Sequence, residues 1–281
     1  MLLGLAAGKV GDLVFYRDGG EQRTRTRVIP KNPRSPLQMA QRVRIANVAA
    51  LYRLLAPIVR DSFSNRPSNQ SGYNAMASGA IELSPFMTKE MANADAVLPM
   101  PAVISKGVLP AVNFSIDAAD FNAIAISVAG LPSGSSANVG AVSQAIIAAY
   151  PAMQDGDKLT FVELQFAVDS SFDFDLYKGT PTIREFVLDT TSAESLPSFL
   201  RAESTAGLLA AQPSGAILDN VGIYAVSVMV SRVDESGSLQ TSFARLELGS
   251  AAQTLYDGYR TEQALLDAIE SYNAGSESIL R

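Results

Sequence analysis

Leu13-Val-Phe-Tyr-Arg-Asp18-Gly-Gly-Glu-Gln-Arg23-Thr-Arg-Thr-Arg27 decides how the rest of the chain is understood. Leu13 to Tyr16 are β-prone, Asp18-Gly19-Gly20 tolerate positive φ, and the residues from Arg23 onward form a return strand, so 10–29 is predicted to be a β-hairpin. Alternation places Arg23, Arg25 and Arg27 on one face and Thr24, Thr26 and Val28 on the other. Arginines in a ladder repel one another, and they call for acidic or phosphate partners or for open solvent. A two-stranded ribbon is marginal alone in water, so this one docks either on its own body or on a neighbour.

Beyond the hairpin, Pro30-Lys-Asn-Pro-Arg34-Ser35 is a proline-rich connector, and Ser35, Pro36 and Gln38 occupy the N-cap, N1 and N3 positions of a helix. That helix is predicted over 36–63, with a kink near Pro57, whose ring removes a donor N–H. On the helical wheel Arg42, Arg53 and Arg60 share one line, with Ala46, Ala49 and Ala56 close beside it. The opposite arc, Leu37, Ala40, Val43, Val48, Leu51, Leu54, Leu55 and Ile58, is a core face. The arginine line fits a docking stripe, with small residues leaving room for a partner, and fits a solvated helix face equally well. Arg23, Arg25, Arg27, Arg34, Arg42, Arg53 and Arg60 are the candidate subunit-interaction residues.

A polar loop at 65–72 leads to a short helix over 73–81, and the turn signals Ser84-Pro85, Asn93, Pro99 and Pro101 predict a linker at 84–101. Strands are expected over 112–116, 123–128, 159–168, 182–188, 222–233 and 239–248, the last two joined across Asp234-Glu-Ser-Gly237, and helices over 137–150, 192–200 and 261–272. The fold class is therefore α+β: an N-terminal β-hairpin and long helix, then a mainly antiparallel sheet or sandwich with a few helices. The expected division is a basic assembly module at 1–83, the linker, and an acidic β-sandwich-like body at 102–281.

At 281 residues, 47% hydrophobic and 18% charged, with a mean hydropathy of +0.14, the chain has the composition of a folded globular protein. No apolar run approaches the ~20 residues that cross a bilayer. The apolar start, Met1 to Ala7, lacks a basic lead and the length of a secretory signal, so a soluble, non-secreted protein with no membrane partner is expected. The chain has no Cys, no His and no Trp. Disulfides, thiolate nucleophiles, Cys- or His-based metal sites and the usual general base are thereby excluded. What remains for catalysis is carboxylate, Lys, Tyr and Ser/Thr chemistry, and the expectation is a protein that is not an enzyme and needs no cofactor.

The net charge of −6 is unevenly spread. Residues 1–66 hold twelve Lys/Arg against four acids, a local charge of +8, and the remainder carries −14. A basic end joined to an acidic body can pair with the next copy, because complementary potentials steer encounter and fix register. Such heterologous contacts build rings or filaments. The same basic segment would also suit non-specific contact with packaged DNA, although no aromatic residues interleave the arginines and no helix-turn-helix pattern is present.

Asp169, Asp173 and Asp175, with Asp155 and Asp157 upstream, are the one carboxylate cluster worth testing for a hard cation or a carboxylate-only hydrolase, but their spacing departs from an EF-hand loop. Alternate Asp173 and Asp175 on a strand would simply share a solvent face. Gly130-Leu-Pro-Ser-Gly134 before a helix lacks the Gly-Lys-Ser/Thr ending of a phosphate loop and reads as an ordinary loop with a helix cap.

Gly8-Lys-Val-Gly11-Asp-Leu-Val-Phe-Tyr16, the Gly-Gly turn and arginine strand, and Asn32-Pro-Arg-Ser-Pro-Leu-Gln-Met-Ala-Gln-Arg42 resemble the N-terminal signature of a functionally uncharacterised family of Bacteroidota and their tailed phages, which includes virion proteins of crAss-like phages. Tyr224-Ala-Val-Ser-Val-Met-Val-Ser-Arg232 and Thr241-Ser-Phe-Ala-Arg245 are similar to that family's closing strands, and the middle of the chain shows no likeness. The resemblance implies a structural virion protein of a neck or tail ring, bound to copies of itself and to adjacent virion proteins, located in the virion and in the host cytoplasm during assembly. It implies no catalytic residues. An interior protein on packaged DNA and a bacterial assembly protein are the alternatives.

Overall fold

A computed structural model describes residues 8–18, 21–28, 35–117, 123–132, 136–169, 175–211 and 222–274. The chain divides into two compact units, Met1–Gln38 and Met39–Arg281.

In the first unit, β1 (Gly8–Val10), β2 (Leu13–Asp18) and β3 (Glu21–Thr26) form an antiparallel meander in the order β1-β2-β3. The predicted hairpin is β2-β3, with Tyr16 opposite Arg23 and Asp18 opposite Glu21. The additional strand comes from a tight turn in which Val10 faces Leu13 and Gly11 takes φ +57°. A glycine with positive φ at the first central position matches the twist that closes a two-residue hairpin. The N–H of Arg27 donates to the Asp12 carbonyl at 2.6 Å, carrying the pairing past the end of β3. None of the unit's described residues is buried.

Ser35 stands in its expected capping place, with the Gln38 N–H directed at its Oγ at 3.5 Å. Helix α1 (Pro36–Val59) follows, with Pro57 in its last turn. The second unit continues with α2 (Gly72–Ala80), α3 (Lys89–Asn93), β4 (Val103–Ser105), β5 (Phe114–Asp117), β6 (Ala123–Ser127) and α4 (Val139–Ala149). It is completed by β7 (Lys158–Asp169), β8 (Leu176–Val187), β9 (Leu200–Glu203), β10 (Leu208–Ala211), β11 (Ile223–Val233), β12 (Leu239–Thr241), β13 (Ala244–Arg245), β14 (Glu247–Leu248), α5 (Ser250–Gly258) and α6 (Glu262–Ala274).

The centre is an antiparallel sheet ordered β12-β11-β7-β8, with β14 also on β11. One face, Leu159, Phe161, Val226 and Val228, packs on a second sheet, β5-β6-β10-β9, through Ile126 and Leu209, and on α4 through Val142 and Ile146. The other face, Val162, Leu164, Ala225 and Met229, packs on Val48, Leu51 and Leu55 of α1 and Met76 of α2. Burial on both faces explains why β7 and β11 are nearly continuous apolar runs. At about 1.5–3 kcal/mol per fully buried large apolar side chain, these two cores hold the unit together. The class is mixed α+β, with a hairpin and long helix ahead of a β-rich body.

Several boundaries differ from expectation. Helix α1 belongs to the core of the second unit, and the division falls after Gln38. Residues 84–101 are not a linker: Phe86, Met87, Met91, Ala96, Val97, Leu98 and Met100 are buried. Their backbone is satisfied by partners elsewhere. Asn47, fully buried on α1, accepts the Leu98 N–H at 2.8 Å and donates to the Leu98 carbonyl at 3.1 Å, and the Val97 N–H donates to the Tyr177 carbonyl at 2.8 Å. The expected helix over 192–200 is absent because its carbonyls serve α4, whose first N–H groups, those of Val139 and Gly140, donate to Glu194 and Ser192. The expected strand over 239–248 is broken into β12, β13 and β14, of which β13 leaves β11 to pair with β4.

Where these pieces meet, small hydroxyls replace apolar packing. Ser105 Oγ donates to the carbonyls of Ser62 and Ser242, and Thr241 Oγ1 donates to the Ser62 carbonyl at 2.6 Å. Gly107 lies so close to the Thr241 carbonyl and Ser64 Oγ that a Cβ there would clash with both.

Candidate functional site

The basic residues of the first unit are sorted by the pleat. Register places Lys9 and Arg25 opposite Val14, and Arg23 opposite Tyr16, so Lys9, Val14, Tyr16, Arg23 and Arg25 share one face. The Arg25 guanidinium lies 5.6 Å from the centre of the Tyr16 ring, a cation–π contact, and Arg23 approaches Glu21 at 3.6 Å. The reverse face carries Val10, Leu13, Phe15, Arg17, Gln22, Thr24 and Thr26, so one arginine lies apart from the others. On it Val10 is 67% and Leu13 47% exposed while Phe15 is half-buried, and Val28 beyond β3 is 76% exposed. Such crowding of exposed apolar and basic groups on a small sheet is characteristic of a surface that binds something.

The helix arginines fare differently. Arg53 pairs with Asp95 at 3.2 Å and Arg60 with its neighbour Asp61 at 3.6 Å, all four side chains being well exposed. Arg42 is half-buried, with Nη1 3.9 Å from Met39 Sδ. Exposed pairs of this kind contribute about 0–1 kcal/mol each. Two arginines of the predicted line therefore have a carboxylate partner on the second unit, while Arg23, Arg25 and Arg27 stand on the first. Arg34 lies outside the described residues. Leu37, expected in the core arc, is 82% exposed. Tyr16 and Lys9 are the members that sequence reasoning missed, and the register of β2 against β3 is the signal that would have found them.

Among the described residues the carboxylates do not converge. Asp155 accepts from the Thr190 N–H at 2.7 Å and the Thr190 hydroxyl at 2.6 Å. Asp157, fully buried, takes two bonds from Arg232, at 2.5 and 2.7 Å, and one from the Gln154 N–H at 2.9 Å. That hydrogen bonding raises the Arg232 guanidinium above its ordinary value. Asp169 pairs with Lys178 at 3.3 Å. Asp175 is exposed beside Tyr177, whose phenol is pushed up chiefly by burial and secondarily by that carboxylate. Asp173 lies outside the described residues, as do residues 133–135 of the glycine loop. Among the described residues no group of three or more acids is placed to hold a metal ion. Asp234 is held down at about 2, first by the Ser236 hydroxyl, then by Gln240 and the Ser238 N–H, which is the chemistry of the β11–β12 turn.

Comparison with known proteins finds no matching family model, no matching curated protein and no matching solved structure.

Proposed function

We propose that the protein is a non-enzymatic structural subunit that assembles with copies of itself and with adjacent proteins through its N-terminal unit, and that it serves in the virion of a tailed bacteriophage as a neck- or tail-ring component. The observation that carries this reading is a three-stranded sheet without a buried described residue, with Lys9, Tyr16, Arg23 and Arg25 together on one face and the exposed apolar Val10 and Leu13 on the other. A sheet of that size gains its stability by covering a face. The charge division of the chain supplies a complementary surface on every other copy. The phage setting rests on the likeness carried by residues 8–16 and 32–42.

Light scattering of the purified protein at low and at high salt tests the assembly. A closed oligomer at low salt that loosens at high salt is expected, since pairs between exposed charges weaken as the Debye length shrinks. A monomer at both salts overturns self-assembly, and retention of that monomer on DNA would assign the basic face to phosphate instead.

A further inference from the structure

Helices α5 and α6 of the second unit frame an open groove of about 650 Å³. Its floor is apolar, with Phe86, Ile223, Leu255, Tyr259 and Ala264 among its lining residues. Asp267 is the carboxylate among its lining residues; Asp257, Glu262 and Glu270 are exposed on the same two helices, Asp257 next to the lining residue Gly258, and Glu90 is exposed on α3, which packs on α6. Among the described residues none of these five carboxylates is in an ion pair; Asp257 and Asp267 accept only neutral amide donors, Gln253 at 2.9 Å and Gln263 at 2.7 Å. Arg260, the basic residue of this stretch, is turned to the Tyr256 hydroxyl and the Glu82 carbonyl. Leu266, on the outer side of α6, adds an exposed apolar side chain next to Asp267.

The basic face of the N-terminal sheet is the converse: a Val14–Tyr16 centre flanked by Lys9, Arg23 and Arg25. Tyr and Arg are the side chains that most often anchor interfaces, the ring entering a desolvated hollow and the guanidinium meeting carboxylates at its margin. We infer that the α5–α6 groove of one copy is the acceptor for the basic sheet face of a second copy, with Tyr16 seated on the apolar floor and Arg23 and Arg25 facing Asp257 and Asp267. The contact is heterologous, joining different surfaces of successive copies, so it propagates into a ring when the rotation closes. The inference rests on the proposed assembly and names its two halves.

The test is a charge exchange between two full-length variants. One carries Arg23→Glu and Arg25→Glu, the other Asp257→Lys and Asp267→Lys; all four positions are exposed, and thermal melts matching the wild type establish that each variant is folded. In low salt each variant alone is expected to run as a monomer where the wild type is an oligomer. The equimolar mixture is expected to regain the wild-type mass, because each head then finds a groove of opposite sign. If the groove variant assembles like the wild type while the sheet variant does not, or if both disperse and the mixture stays monomeric, the groove is not the acceptor although assembly through the sheet stands. If the wild type itself is monomeric, the assembly reading falls and this inference with it.

Discussion

Replacing Asn47 with alanine tests the account of why residues 84–101 are core. The Asn47 side chain is the partner of both polar backbone groups of Leu98, its N–H at 2.8 Å and its carbonyl at 3.1 Å, and both residues are fully buried. Truncation leaves a donor and an acceptor unpaired where water does not reach, each costing about 1–3 kcal/mol. The sum is about 2–6 kcal/mol, and with a urea m-value of about 3 kcal/mol/M the unfolding midpoint falls by roughly 0.7–2 M. Gln41→Ala, at an exposed position of the same helix, is the control and should stay within about 0.5 kcal/mol of the parent. Amide exchange at Leu98 should accelerate in the Asn47 variant, since its acceptor is gone. A midpoint shift no larger than that of Gln41→Ala, at unchanged m, would refute the view that this single side chain secures the segment.

Asp157→Ala removes two charge-assisted bonds and leaves the partly buried Arg232 guanidinium without its carboxylate, so a loss of about 3 kcal/mol is expected in urea melts; Arg232→Met in the same background should recover part of it, and no recovery would show that the damage lies in the lost Gln154 contact. The Tyr259 phenol is pushed up to about 12, first by burial, then by Tyr177 and Asp175. A folded value above the unfolded one contributes stability that is whole below pH ~10 and disappears as pH rises toward 12. Phenolate absorbance should therefore show a late step near pH 12 in the folded protein that moves to ~10 in urea, and a single step near 10 in the folded protein would contradict the burial of that ring.

The sequence made the sheet legible wherever burial is two-sided or cleanly alternating. Strands β7 and β11 were placed within a residue of their ends because apolar runs bounded by turn signals leave little choice. Strand β8 was foreseen only in its second half; its first half holds Gly179 and Pro181, residues that are poor in a strand interior but that an edge strand accommodates. Residues 84–101 were misjudged for a related reason. Proline and asparagine signal local turns truthfully, but nothing local reports that Asn47, in the previous helix, will clamp Leu98. Arg23 and Arg25 were read correctly onto one face, Arg27 lying just past the paired residues, while a helical wheel of α1 shows angles and omits Asp61 and Asp95, the partners of Arg60 and Arg53. The α5–α6 groove had no sequence signature: α5 was missed altogether, and a hollow between two helices exists only once they are packed.

The hydroxyl knot of Ser62, Ser105 and Thr241 ties together residues that leave the ribosome far apart in time. Ser62 waits for Thr241, and Leu51 of α1 waits for Ala225 and Met229 of β11 before its side of the core can close. At about 5–20 residues per second, the apolar face of α1 stays uncovered for about 10–40 s of synthesis. During that interval the nascent chain displays Val48, Leu51 and Leu55 as a ready client stripe for a chaperone, and a pause late in translation, before β11 emerges, would do more harm to yield than one placed early.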